Sequence, residues 1–179
     1  IELADVNETY RSWMNDPEVM RYTESRFQTH SLEDIRAYVQ SVQSDASSVF
    51  FAIIEKATGR HIGNIKIGHM NPVHRTADVG IIIGDKSCWG KGYASEALKL
   101  AARYAAETLK LHKLWAGIYA ENVGSIHAFW RAGFVEEGRF AEHWFYEGHY
   151  VDGVQMGLLL VERKKLRKRF RLAWVRPAC

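Results

Sequence analysis

A glycine-bearing turn lies between a predicted buried strand and a predicted helix. Residues 79–84 are apolar enough for a strand buried on both faces, and Gly90 and Gly92 precede a helix predicted over residues 93–109. Glycine lets the backbone turn tightly and leaves its N–H groups exposed, and a helix N-terminus carries about half a positive charge. This combination is typical of a site for phosphate or pyrophosphate.

Two widespread phosphate loops fit this turn poorly. A Walker A loop beginning at Gly84 requires glycine where Trp89 stands, and no Gly-Lys-Ser/Thr follows. A dinucleotide fingerprint beginning at Gly90 requires Gly or Ala where Ser95 stands, and an acidic residue about 20 residues later. The next predicted strand, residues 113–120, carries no acid. Both interpretations are therefore disfavoured.

Predicted helices and strands follow one another along the chain of 179 residues and must position this turn. The hydrophobic spacing and the capping residues predict the order α-α-β-β-β-α-β-α-β-β, with a truncated strand ending at Leu3 as an option at the front. The strand at 79–84, the helix and the strand at 113–120 form one βαβ unit. We therefore predict a single α/β (α+β) domain with a mixed sheet over residues 1–161, followed by a basic tail over residues 162–179.

Further segments add a family resemblance to this pattern. The turn, Trp89-Gly90-Lys91-Gly92-Tyr93-Ala94, resembles the acyl-CoA pyrophosphate loop of GNAT acetyltransferases, Arg/Gln-x-x-Gly-x-Gly/Ala, with Trp89 at the first position. Residues 13–19, Trp-Met-Asn-Asp-Pro-Glu-Val, and residues 122–134 are also similar to that superfamily. The resemblance covers about residues 1–161. It points most to the branch of ribosomal-protein N-terminal, polyamine and nucleotide-amino-sugar acetyltransferases.

The resemblance implies a GNAT-like domain that uses acetyl-CoA as co-substrate. The strands at 79–84 and 113–120 are expected to splay apart at a bulge, and the pantetheine arm is expected to lie in the gap. Transfer of the acetyl group to an amine is then direct. The residues expected to bind the cofactor are Ile81, Ile82, Ile83, Trp89, Gly90, Lys91, Gly92, Tyr93, Ala94, Asn122, Ser125 and Phe129.

An amine acceptor creates a need for a base, because a primary amine resembles lysine, with a pKa of about 10.4. Asp78 is the first candidate, since the family often places an acid just before the bulge. The alternatives for Asp78 are a solvated strand-end carboxylate or an anion that binds the substrate cation. Glu24 is the second candidate, and a plain loop charge is its alternative. Phe129 stands where many relatives carry a tyrosine that protonates the thiolate, which leaves water, Tyr119 or His127 for that step.

The sequence leaves the acceptor open. A protein α-amine, a polyamine and an amino sugar on a nucleotide remain, and the loop residues Tyr22, Arg26 and Phe27 are the candidate substrate contacts. A second class also remains, a catalytically silent CoA-binding module of the same fold.

Composition and charge argue against nucleic acid and metal ions as partners. The tail carries seven net positive charges of a chain whose total is +3, which leaves −4 for residues 1–161 and offers no basic face for nucleic acid. The eight histidines show no metal spacing, and Cys88 and Cys179 are too few for a disulfide framework, so we expect a reducing, cytoplasmic setting without a metal. No secretory signal or membrane-length apolar run is visible, although the sequence begins at Ile1 rather than Met.

The basic tail has several interpretations. Residues 163–171 read Arg-Lys-Lys-Leu-Arg-Lys-Arg-Phe-Arg. A solvated end, a helix docked on the acidic domain and a helix docked across a homodimer rank ahead of nucleic-acid or membrane binding.

Overall fold

The computed structural model describes residues 1–160, so the basic tail lies outside the described residues. Six strands form one sheet with the order β1-β2-β3-β4-β6-β5. All neighbouring pairs are antiparallel except β3 and β4, which are parallel, so the sheet is mixed as predicted. The strands are β1 (Val49–Ile54), β2 (His61–Asn71), β3 (Thr76–Ile83), β4 (Lys113–Tyr119), β5 (Val135–Tyr146) and β6 (His149–Leu159).

Two helices begin before the sheet and owe their starts to side-chain caps. In helix α1 (Glu8–Met14), the Asn7 side chain accepts a hydrogen bond from the Tyr10 backbone N–H. In helix α2 (Leu32–Ser44), Ser31 and Asp34 form a reciprocal capping box, as the sequence predicts. The segment between the two helices contains a 3₁₀ turn, Glu24–Phe27, which places that loop over one face of the sheet.

Two further helices cover the opposite face. Helix α3 (Tyr93–Glu107) connects β3 to β4, and helix α4 (Val123–Arg131) follows β4. Alanines and Leu98 of α3 pack into the main core with Val79 and Leu114 from the central strands. Gly133, with φ +99°, ends α4 in the left-handed conformation that favours glycine. Successive residues of β1 mark the two faces, since Phe50 packs with α1 and α2 while Phe51 packs against the α3 core.

The parallel pairing of β3 and β4 is short. Ladder partners run from Thr76 with Lys113 to Asp78 with Trp115, and the remaining residues of both strands have no ladder to each other. Each strand stays paired on its outer side, β3 with β2 up to Ile83 and β4 with β6 up to Tyr119. The two strands therefore part at the place that the sequence predicts.

The bulge expected at this place lies elsewhere. The register of β3 against β2 is regular from Ile83 to Asp78, and it shifts between Gly68 and Asn71 of β2, opposite the start of β3. His69 within this shift has φ +48°. The extra residue of a bulge belongs to the strand that bends, and here that strand is β2. The parting of β3 from β4 therefore needs no bulge in either strand.

The front of the chain also differs from the expected option of a truncated strand. Leu3–Asp5 forms a 3₁₀ turn, and the Ile1 ammonium donates a hydrogen bond to the Phe50 carbonyl. The Asp5 carboxylate accepts a hydrogen bond from the Glu2 backbone N–H. This local hydrogen bond competes with strand pairing at this position.

Candidate active site

A cleft of about 1170 Å³ opens where β3 and β4 part. Its volume is at the upper end of the range for small-molecule sites, which suits a long ligand together with a second molecule. The lining comes from the edge of β3, from β4, from the glycine-bearing turn, from α4 and from the loop before α2. Residues from distant parts of the sequence thus meet in one site.

The glycine-bearing turn presents a row of free backbone donors to this cleft. Gly90 and Gly92 have φ +71° and +88°, and a Cβ at either position would enter open space. Within residues 1–160, the N–H groups of residues 90–95 have no acceptor, and the first hydrogen bond of α3 runs from Glu96 N–H to the Gly92 carbonyl. Consecutive unpaired donors at a helix start fit the pyrophosphate of acetyl-CoA. Lys91 is exposed and lies outside the cleft lining, whereas Tyr93 and Ala94 belong to it.

The free edge of β3 forms the adjoining wall. Ile81, Ile82 and Ile83 are half-buried and line the cleft. The Trp89 indole N–H donates to the Ile83 carbonyl at 2.8 Å, so this tryptophan fixes the turn against the strand end in place of the charged contact usual at its position. The rest of the edge keeps backbone groups available, which fits the amides of a pantetheine arm.

Three residues of the α4 region that are candidate cofactor contacts line the cleft. Asn122 caps α4, because its side-chain oxygen accepts from the Ser125 N–H at 3.1 Å. Phe129 is buried and packs edge-to-face on Phe134 at 4.9 Å between ring centroids. Phe129 therefore forms an apolar part of the wall and has no proton to donate.

Asp78 is the last residue of β3 that pairs with β4, and it lines the cleft. Its Oδ1 lies 2.8 Å from Nδ1 of His69, whose side chain is 80% exposed. No sequence pattern indicates this partner, since His69 becomes a neighbour of Asp78 only through the register shift in β2. The pair connects a carboxylate in the cleft to solvent through an imidazole.

Glu24 lines the cleft from the loop before α2. We call this side of the cleft the acceptor side, because the candidate substrate residues belong to the same loop. The Tyr119 hydroxyl donates to Glu24 Oε1 at 2.6 Å and accepts from Nη1 of Arg26 at 2.9 Å. Burial, and after it the hydrogen bond to Glu24, raises the pKa of Tyr119, so its hydroxyl keeps its proton at neutral pH. Tyr119 thus holds the exposed Glu24 carboxylate at the wall of the cleft.

The three predicted substrate residues take different places. Tyr22 lines the cleft and packs near Tyr119, with 5.7 Å between ring centroids. Arg26 lies outside the lining, and its guanidinium also donates to the carbonyls of Thr23 and Phe145. Phe27 also lies outside the lining and is 68% exposed. The structure therefore uses Arg26 to tie the loop to β4 and β5.

Acidic groups exceed basic groups on the acceptor side of the cleft. The acids that line this side are Glu18, Glu24, Asp34 and Asp78, and the cations are Arg21 and Lys66. Two of these acids also contact cations outside the lining, Glu18 with Lys86 and Glu24 with Arg26. Hydrogen bonds from Ser31 lower the pKa of Asp34 and keep it ionised.

Among residues 1–160, no group of three or more His, Cys, Asp or Glu side chains could hold a metal ion. In the same residues, no helix combines the length and apolarity needed to cross a bilayer.

A polar link that the sequence did not reveal secures the first residue of α3. The Tyr93 hydroxyl donates to Glu55 in the β1–β2 turn. Hydrogen bonds from Thr58, Tyr93 and Arg60 lower the pKa of Glu55 to about 2, so the carboxylate stays charged. This link fixes the helix start that carries the free N–H groups.

Comparison with known proteins agrees with this geometry. Residues 1–135 match the family model for an acetyltransferase (GNAT) domain. The chain is 33% identical over 122 residues to spermidine N(1)-acetyltransferase of Vibrio cholerae serotype O1, covering 68% of this chain and 69% of that protein. It is 30% identical over 142 residues to spermidine N(1)-acetyltransferase of Escherichia coli strain K12, covering 79% and 74%. The crystal structure of spermidine N-acetyltransferase from Vibrio cholerae in complex with CoA and spermine superposes with a TM-score of 0.79, at 27% identity over 89% of this chain and 92% of that one.

The glycine-bearing turn yields a direct test. Gly92→Val should raise the Kd for acetyl-CoA at least about tenfold, or about 1.4 kcal/mol, because the new side chain enters the open space above the free N–H groups. Isothermal titration without an acceptor measures this. Gly59→Val is the matched control, since Gly59 has a similar φ of +70° in a distant turn. Unchanged affinity in a folded Gly92→Val protein would refute the pyrophosphate assignment.

Proposed function

The chain belongs to the GNAT acetyltransferase family and is an acetyl-CoA-dependent N-acetyltransferase, and we propose that its acceptor is a primary amine of a polyamine. The observation that carries the acceptor proposal is the pair of carboxylates, Asp78 and Glu24, that line one cleft. The relatives named for spermidine support the same acceptor class. The silent binding module considered from the sequence is set aside, because the family and the relatives are enzymes.

Acetyl-CoA supplies an acetyl thioester, which is the electrophile of the reaction. The residues that would hold it are the N–H groups of residues 90–95 for the pyrophosphate and the free edge of β3 for the arm. Phe129 closes the wall with an apolar ring and limits the access of water. The chain thus orients the ligand with backbone groups more than with side-chain charges.

Asp78 is the base in this proposal. Its carboxylate accepts a proton from the acceptor ammonium, and the exposed His69, which contacts the carboxylate at 2.8 Å, passes a proton to solvent. An imidazole ring has two nitrogens, so it can take up a proton at one and release a proton from the other to water. We assign protonation of the leaving thiolate to water, since Phe129 has no proton to give and the Tyr119 hydroxyl is committed to Glu24.

Glu24 binds a second positive charge of the acceptor. Trp115 pairs with Asp78, and Tyr119 lies four residues further along β4, which is about 13 Å at 3.3 Å per residue. Glu24 is hydrogen-bonded to that tyrosine, so the two carboxylates are spaced for an extended molecule with more than one ammonium group. The excess of acids on this side favours such a cation over an anionic nucleotide sugar.

An acceptor panel tests the proposal. Thiol release with acetyl-CoA should give a kcat/KM for spermidine or spermine at least about tenfold above that for a monoamine, a peptide α-amine or a nucleotide amino sugar, because only the polyamines engage both carboxylates. A peptide or amino sugar that matches or exceeds the polyamines would contradict the acceptor assignment.

Glu24→Gln separates the two carboxylates. It should raise the KM for spermidine about tenfold and leave the rate with a monoamine near its original value, because the lost charge, which also lies 3.8 Å from Arg26, faces the second ammonium and not the reacting one. Glu33→Gln, at an exposed position of α2 outside the cleft, is the matched control. An equal loss with both acceptors would contradict the binding role of Glu24.

Asp78→Asn removes the base. It should lower kcat/KM by about 10²-fold at neutral pH and leave the Kd for acetyl-CoA unchanged, since the amide cannot accept the proton. A pH–rate profile from pH 6 to 9 provides the measurement. A loss below threefold across that range would exclude Asp78 from proton transfer and transfer the base role to Glu24.

A further inference from the structure

A second cavity lies beside the glycine-bearing turn. It has a volume of about 440 Å³ and is lined by Gly92, Ser95, Glu96, Lys99 and Arg131. Gly92, Ser95 and Arg131 also line the main cleft, so the two spaces adjoin. The lining comes from the start of α3 and the end of α4, without any residue of the sheet.

Ser95 points to a ligand in this cavity. Its residue surface is 8% exposed, and its Oγ has no hydrogen-bond partner within residues 1–160. Every fully buried side-chain oxygen or nitrogen in those residues has a partner. The unpartnered Ser95 Oγ is therefore accessible from the cavity and is not enclosed in the core. A buried hydroxyl that faces two adjoining cavities without a partner is available to a ligand oxygen.

The charges of the cavity favour an anion. Lys99 lies one turn after Ser95 on α3, and Arg131 lies in the last turn of α4. Neither cation forms an ion pair or a side-chain hydrogen bond within the described part of the chain, and Glu96 is the acid of the lining. Long cationic side chains without partners beside the N-terminus of a 15-residue helix create a positive potential in this cavity.

We propose that this cavity binds the ribose 3′-phosphate of acetyl-CoA. The thioester end lies where β3 and β4 part, and the pyrophosphate fits the free N–H groups of residues 90–95. The next anionic group along the molecule is the 3′-phosphate, and the cavity adjoins the turn at Gly92 and Ser95. Ser95 donates a hydrogen bond to this phosphate, and Lys99 and Arg131 supply its counter-charges.

This assignment makes the cavity a selectivity site for the acyl carrier. A carrier whose phosphopantetheine arm ends without a 3′-phosphate reaches the turn and leaves Lys99 and Arg131 without a counter-ion. The enzyme should therefore distinguish CoA thioesters from acyl groups on such carriers by the phosphate rather than by the reactive end.

Binding of CoA and of 3′-dephospho-CoA tests the proposal. Isothermal titration without an acceptor should give a Kd for CoA at least about tenfold below that for 3′-dephospho-CoA, and the ratio should fall as salt rises. Lys99→Gln with Arg131→Gln should raise the Kd for CoA about tenfold and leave the Kd for 3′-dephospho-CoA within about twofold. Because no acceptor is present, failure of the polyamine assignment does not affect this result.

Arg103→Gln with Lys56→Gln is the matched control. Both residues are exposed cations outside the two cavities, so this variant should keep the wild-type ratio between the two ligands. Equal affinity of the wild-type protein for the two ligands would overturn the proposal. An equal weakening of both ligands in the Lys99→Gln and Arg131→Gln variant would also overturn it, because the two cations would then act only through the general charge of the protein.

Discussion

Backbone hydrogen-bonding groups without a protein partner are the constraint on which the rest of the site depends. The edge of β3 beyond Asp78 and the N–H groups of residues 90–95 form an unpaired path along the cleft, which the hydrogen-bonded residues 84–89 interrupt. Unpaired backbone groups are tolerated where a ligand or water can bind them, and they are costly when buried without either. The path is therefore the place where we propose that acetyl-CoA binds.

The surrounding fold keeps this path open. β3 and β4 pair with each other only up to Asp78 and Trp115, while each continues its outer ladder, with β2 and β6 respectively. Trp13 of α1 packs directly over Gly84 at the end of β3, and a Cβ there would lie 2.0 Å from the indole. The Tyr93–Glu55 link fixes the start of α3. The site is thus organised by packing and pairing in elements that do not touch the acetyl group.

Local chemistry made much of this predictable from the sequence. Ser31 and Asp34 predict the start of a helix, and Gly90 and Gly92 between a buried strand and a helix predict an anion site. The bulge, the His69–Asp78 pair and the internal role of Arg26 were not predictable in the same way, because each depends on strand register or on contacts between distant segments. Ser95, Lys99 and Arg131 were missed for a similar reason, since the cavity exists only where α3 meets the end of α4.

Amide hydrogen exchange measures the central claim most directly. Addition of acetyl-CoA should slow exchange in residues 79–83 and 90–95 and leave β1 and the β5–β6 hairpin unchanged, because only the unpaired path gains hydrogen-bond partners. Protection confined to the hairpin or to α2, with residues 90–95 unaffected, would contradict the account.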